Sequence, residues 1–147
     1  MAMVFLLADD DEDDRDFFCE ILRRIDPSII CYYAEDGVQA LDVLKEEAVK
    51  PDIIFLDINM PRINGWQCLN EIKTLNPYKN IPVVIYSTST YKRDINRALE
   101  LGAFAFFAKP MNPMDLKDVL TTIINNWSGY LSQALSDYPG IYLTVQE

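Results

Sequence analysis

Short, almost wholly apolar runs alternate along this chain with stretches whose apolar residues recur at helical spacing, and that alternation restricts the fold more than any other feature. The runs are Val4–Ala8, Ile29–Ala34, Asp52–Leu56, Pro82–Tyr86 and Phe104–Ala108. A strand that is apolar on both faces must be covered on both, so the pattern predicts a parallel sheet between two helical layers. The 147 residues suffice for one such core and are too few for two domains of usual size.

The intervening stretches supply the layers. Phe17, Phe18, Ile21, Leu22 and Ile25 share one face of a helix predicted over Asp13–Ile25, with acids crowding its first turn and Pro27 beyond its end. Val38, Leu41, Val43 and Leu44 mark a second helix closing before Pro51, and Trp66, Leu69, Ile72 and Leu75 mark a third. Ile95, Ala98, Leu99 and Leu101 form a fourth, stopped at Gly102, and Leu116–Trp127 is the fifth. The expectation is an α/β, doubly wound, five-stranded parallel sheet with five helices, spanning 3–127. Residues 128–147 read as a C-terminal extension with no separate output domain. Its Tyr130, Leu131, Leu135, Tyr138 and Ile141–Val145, after a Pro139-Gly140 turn signal, are apolar enough to pack on the domain or on a partner.

In open sheets of this kind, ligands sit beyond the carboxyl ends of the strands. Those ends carry Asp9 and Asp10 after the first run, Asp57 after the third, Ser87 and Thr88 after the fourth, and Lys109 after the fifth. Three carboxylates in one crevice repel strongly, and a bound cation relieves them. Oxygen-only ligands suit Mg²⁺, with Asp9 and Asp10 as ligands and Asp57 sharing the ion. Alone, Lys109 reads as a surface lysine and Ser87 as a turn hydroxyl; their shared placement at strand ends sets them apart. Asp13, Asp14 and Asp16, within the acidic stretch Asp9–Asp16, read as solvated charges or helix-dipole partners, and Asp11 and Glu12 as rim residues.

Composition closes other routes. A net charge of −10 repels the phosphate backbone, so nucleic acid is a poor partner. No apolar run approaches the length that spans a bilayer, and Met1–Ala8 lacks a basic start and a cleavage site, which points to the cytoplasm. With no histidine in the chain, internal imidazole chemistry is excluded, leaving carboxylates, hydroxyls and lysine. Cys19, Cys31 and Cys68 are odd in number, far apart and without a C-x-x-C pair, and read as buried reduced thiols.

Leu7-Ala8-Asp9-Asp10, Asp57-Ile58-Asn59-Met60-Pro61 with Gly65, Ser87 and Lys109-Pro110, in this order, closely resemble the response-regulator receiver family of two-component signalling, single-domain type. The resemblance implies a flavodoxin-like fold with strand order 2-1-3-4-5. It implies that Asp57 accepts a phosphoryl group from a histidine kinase or histidine phosphotransfer protein, with Lys109 and Ser87 assisting. Asp9, Asp10, Asp57 and the backbone carbonyl of Asn59 would hold Mg²⁺. Ser87 and Phe106 would form the switch that reshapes a protein-interaction face built by helix four, strand five and helix five. Phe106 stands where the family frequently has tyrosine. A cis peptide before Pro110 is also implied, as is a monomer or weak dimer whose only catalysis is phosphorylation and dephosphorylation of its own Asp57.

Two other functions share the general architecture. A phosphohydrolase of the haloacid dehalogenase type needs an acid–base aspartate two positions after the acceptor, where Asn59 stands, and asparagine does not shuttle protons. A flavin carrier needs a phosphate-binding loop after strand one, where six consecutive acids would repel the phosphate.

Overall fold

The computed structural model describes residues 2–46 and 50–144. The elements in chain order are β1 (Val4–Ala8), α1 (Glu12–Ile25), β2 (Ile30–Ala34), α2 (Gly37–Glu46), β3 (Ile53–Leu56) and α3 (Gly65–Thr74). They continue with β4 (Val83–Ser87), α4 (Lys92–Glu100), β5 (Ala105–Ala108), α5 (Pro113–Asn125), α6 (Leu131–Leu135) and β6 (Ile141–Leu143). The sheet order is β2-β1-β3-β4-β5-β6, with the first five strands parallel and β6 antiparallel to β5. This is the doubly wound, flavodoxin-like arrangement in the predicted order 2-1-3-4-5.

Strand alternation divides the core in two. Phe5, Leu7, Ile53, Phe55, Val84, Tyr86 and Phe107 face α1 and α5, where Phe18, Leu22, Val119 and Leu120 cover them. Leu6, Ala8, Ile54, Leu56, Ile85 and Phe106 face α2, α3 and α4, meeting Leu41, Leu69, Ile72 and Ala98. Because successive side chains point to opposite faces, a register slip of one residue would exchange the two cores, so the pairing is strongly specified.

Helix starts follow from capping. The Asp11 side chain accepts from the Asp14 amide, so α1 begins earlier than its apolar face suggests. Asn64 and Gln67 form a reciprocal capping box at α3. Asn112 accepts from the Met114 amide with Pro113 in the first turn, which starts α5 three residues before Leu116.

Five strands and five helices were expected, and six of each are present among the described residues. The additions lie in the C-terminal extension. Leu135 is buried against the α1–α5 core, and the Tyr138 and Thr122 hydroxyls lie 2.8 Å apart. β6 then pairs along β5, covering an edge that would otherwise present unpaired backbone groups. Val145, the last residue of the expected apolar run, lies outside the described residues.

Two other expectations are corrected. Cys19 and Cys31 are not separate thiols but a disulfide joining α1 to β2, with Cα atoms 5.9 Å apart, whereas Cys68 is free and buried. No peptide among the described residues is cis, so the bond before Pro110 is trans. The Lys109 ammonium reaches the pocket regardless.

Gly65 opens α3 directly beneath the acceptor loop. Its amide donates to the Ile58 carbonyl at 2.8 Å, and a Cβ there would collide with the Asp57 carbonyl oxygen. Gly65→Ala is therefore expected to cost about 2 kcal/mol of stability, read as a lower urea midpoint with an unchanged slope.

Candidate functional site

The carboxyl ends of β1, β3, β4 and β5 bring most of the expected side chains together. The Asp9 amide donates to the Ala34 carbonyl at 3.0 Å, fixing the chain as it leaves β1, and the Asp57 amide donates to the Ala8 carbonyl at 2.9 Å. Asp9 is wholly buried and Asp57 is 9% exposed. Asp10 is exposed at the rim. One carboxylate oxygen each from Asp9, Asp10 and Asp57 lie within 4.8 Å of one another, an arrangement able to hold a metal ion. All three donors are hard oxygens, the class that Mg²⁺ prefers.

Lys109 closes this acidic group from the β5 side. Its amide donates to the Ser87 carbonyl at 2.7 Å, locking the β5 end against β4. Its Nζ donates to Asp9 Oδ2 at 2.6 Å, Asp14 Oδ2 at 2.9 Å and Asp57 Oδ2 at 3.4 Å. The Tyr86 ring lies beneath it, with the ammonium 5.3 Å from the centroid.

These contacts set the protonation states. Burial pushes the Asp57 carboxyl up to about 6, the Lys109 charge opposes the rise, and the Asp9 charge adds to it. Burial would likewise lower Lys109, but the hydrogen bonds to Asp9 and Asp14 and the Asp57 charge outweigh it and hold the ammonium well above the ordinary lysine range. Asp57 Oδ1 is engaged by the Ile58 amide at 2.8 Å, whereas Oδ2 faces Lys109.

The remaining expected residues stand around this centre. Ser87 is buried, but its hydroxyl accepts from the Ser89 amide at 3.1 Å rather than bonding Asp57 or Lys109. Asn59 is exposed in a cleft of about 800 Å³ beside Trp66, Thr88 and Arg97. Phe106 is wholly buried on the α4 side, its ring edge-on to Tyr142 of β6 at 6.4 Å. Arg62 holds the acceptor loop by donating to Asp36 Oδ2 from Nε at 2.9 Å and from a terminal nitrogen at 2.7 Å.

Asp14, expected to be a solvated charge or helix-dipole partner, instead binds Lys109, and Arg15 was not singled out by the sequence pattern. The Arg15 guanidinium donates to the Asp9 carbonyl at 2.8 Å from a buried position and so fixes the turn that carries the acidic pair. Asp14 stands three residues after the cap, and helical side chains lean toward the helix N-terminus, which carries its carboxylate back over the end of β1. Counting from the cap instead of from the first apolar residue would have exposed this. Asp14 is 44% exposed, so Asp14→Asn is expected to cost less than about 1 kcal/mol, and the loss should shrink further at high salt. Urea unfolding at low and high ionic strength reads both effects.

With this geometry in place, comparison with known proteins is specific. The response regulator receiver domain profile matches residues 5–121. A chemotaxis protein CheY homolog of Campylobacter jejuni is 30% identical over 128 residues, covering 86% of this chain and 96% of that protein. The phosphorylated cyanobacterial phytochrome response regulator RcpA superposes with a TM-score of 0.79 at 30% identity, covering 86% of this chain and 94% of RcpA. The Mn²⁺-bound form of response regulator Rcp1 superposes at 0.74 with 26% identity and covers 97% of this chain and 99% of Rcp1, so the match reaches into the C-terminal extension. The profile spans most of the chain, from before Asp9 to beyond Lys109: this chain belongs to the response regulator receiver family, the phosphoacceptor modules of two-component signalling.

Proposed function

We propose that Asp57 is the phosphoryl acceptor, that it takes the group from a phosphohistidine on a histidine kinase or histidine phosphotransfer protein, and that the reaction depends on Mg²⁺. The observation carrying this reading is the single ammonium of Lys109 held between Asp9 and Asp57 Oδ2, beside three carboxylates close enough to share a cation. Asp57 Oδ2 is the nucleophile, because Oδ1 is tied to the Ile58 amide. The Oδ2–phosphorus bond forms as the donor's nitrogen–phosphorus bond breaks, and the donor imidazole leaves with its electron pair and takes a proton. Lys109 follows the developing negative charge onto a phosphoryl oxygen, a contact that strengthens through the transfer.

Asp9, Asp10, Asp57 and the Asn59 carbonyl would hold Mg²⁺, which neutralises phosphoryl oxygens when bound. Ser87 exchanges its bond with the Ser89 amide for one to the phosphoryl group, drawing the β4–α4 loop inward. Phe106 then turns with that loop and conveys the change to the face of α4, β5 and α5, which β6 borders through Tyr142. The protein acts in the cytoplasm as a receiver module, a monomer or weak dimer, and its downstream target is another protein rather than nucleic acid or membrane. No helix among the described residues is long and apolar enough to cross a membrane. The phosphohydrolase reading is not favoured, since Asn59 offers no acid–base group.

The test is incubation with acetyl phosphate and Mg²⁺ followed by phosphate-affinity electrophoresis. A shifted band in wild type that chelator abolishes, and that Asp57→Asn lacks, is the expected result. An equal shift in Asp57→Asn, or one indifferent to chelator, would overturn the reading.

A further inference from the structure

The Cys19–Cys31 pair belongs to no part of the phosphoacceptor chemistry, yet it sits one helical turn from it. Arg15, Cys19 and Arg23 are spaced i, i+4, i+8 on α1, so they share a face. Cys31 and Tyr33 are two residues apart on β2 and also share a face. The two faces meet in matched rows: the Arg15 guanidinium lies over the Tyr33 ring, 5.6 Å from its centroid, and Cys19 joins Cys31 in the next row.

The surroundings favour thiol chemistry. A cavity of about 230 Å³ is lined by Arg15, Asp16, Cys19, Arg23, Cys31 and Tyr33, so the pair is reachable from solvent. Cys31 is half-buried while Cys19 lies deeper, and the Arg23 Nε donates to the Cys19 carbonyl at 3.4 Å, whereas the Arg15 guanidinium pairs with Glu35 at 3.7 Å. Arginine beside a cysteine stabilises the thiolate, the nucleophilic form. Cys68 is the internal contrast: it is wholly buried, and burial together with the Glu71 and Asp36 charges pushes its thiol up to about 12.

We propose that Cys19 and Cys31 form a reversible dithiol–disulfide site that reacts with low-molecular-weight disulfides, and that its closure fixes α1 against β2 beside the Arg15 bond to Asp9. In the forward step the accessible Cys31 thiolate attacks the small disulfide, forming a mixed disulfide and releasing one small thiolate. The Cys19 thiolate then attacks the Cys31 sulfur, closing the protein disulfide and releasing the second. Each departing thiolate takes up one of the two protons shed by the protein thiols, so the protein loses two electrons and the small disulfide gains them. In a reducing compartment such a bond is transient, as expected of a sensing site rather than a structural one. The inference is independent of phosphoryl transfer, because neither sulfur touches Asp57.

The test equilibrates the full chain across ratios of reduced to oxidised glutathione, quenches with acid, alkylates and reads intact mass. Two alkylation sites lost together in one transition, restored by dithiothreitol and mapped to Cys19 and Cys31, is the expected result, with Cys68 labelled only in denaturant. Both thiols remaining alkylatable at every ratio, or glutathione persisting on the wild-type protein as the end product, would overturn it. Cys19→Ser should trap one glutathione on Cys31, and a Cys19→Ser protein that stays unmodified also counts against the site. The oxidised form should melt on the order of 10 °C higher than the reduced form, since the bond restrains a loop with a sequence separation of 12. Its α1 amides should exchange roughly tenfold more slowly, with α4 amides changing less; equal protection of α1 in both forms would refute the coupling to Arg15. Asp57→Asn should show the same oxidation transition and the same difference between oxidised and reduced forms as wild type, which separates this outcome from that of the phosphoacceptor reading.

Discussion

Asp57→Asn should be more stable than wild type by about 3 kcal/mol at pH 7 in the presence of chelator, although it removes the residue on which the proposed function depends. Burial and the Asp9 charge lift the folded-state value of Asp57 to about 6, against 3.8 for the ordinary carboxyl. A carboxyl raised on folding binds its proton more tightly in the native state. The associated stability is therefore fully present below pH 3.8 and is lost as the pH rises through 6. At neutral pH wild type carries the whole penalty of an ionised buried carboxylate, and the neutral, isosteric amide does not. The gain should shrink to less than about 1 kcal/mol at pH 4. Urea unfolding of both proteins at the two pH values measures it; equal stability at pH 7 would mean that Asp57 is not held in the environment described. Added Mg²⁺ should narrow the gap by stabilising wild type, with about 2.7 kcal/mol expected at a hundredfold excess over the dissociation constant.

Lys109→Met should have the opposite sign and a larger size. It leaves Asp9, wholly buried, and Asp57, nearly so, without their shared cation. Removing one partner from a buried charge group costs about 3–5 kcal/mol, because the remaining charges stay desolvated. The charge of Lys109 is what opposes the rise at Asp57, so its loss pushes that carboxyl further up. The destabilisation should be greatest above pH 6 and diminish on acidification, as protonation replaces the missing ammonium. The pair Lys109→Met and Asp57→Asn should combine non-additively, the second change recovering part of the first, since the two side chains are in direct contact. Strict additivity in the double-mutant cycle would show that Lys109 and Asp57 do not share a charge environment.

Much of the architecture was legible because each element announces itself locally. The continuous apolar run ending at Asp57 could only be a central strand, and the same logic put Asp9, Ser87 and Lys109 at one end of the sheet. What was not legible depended on phase or on long-range register. Asp14 was read as a solvated charge since its neighbours are acidic; only its third position after the Asp11 cap carries it to Lys109. The Cys19–Cys31 bond requires knowing how α1 lies across β2, which neither segment encodes alone. β6 has three residues, too short for periodicity to register, and it forms because the β5 edge is available to pair with it. The Ser87 hydroxyl was correctly placed at a strand end, but the same residue type that binds a ligand also closes a turn, and here it caps its own loop. A cis bond before Pro110 was implied by resemblance, yet Lys109 reaches Asp9 from a trans peptide.

The identity of the acceptor residue is the centre of this reading, and it is open to direct chemical mapping. Wild-type protein treated with acetyl phosphate and Mg²⁺ is reduced with borohydride, which converts an aspartyl phosphate to homoserine, and is then digested for peptide mass analysis. The expected result is homoserine at position 57 alone, absent when chelator is added. Homoserine at position 9 or 10, or at no position while the protein still carries phosphate, would contradict it.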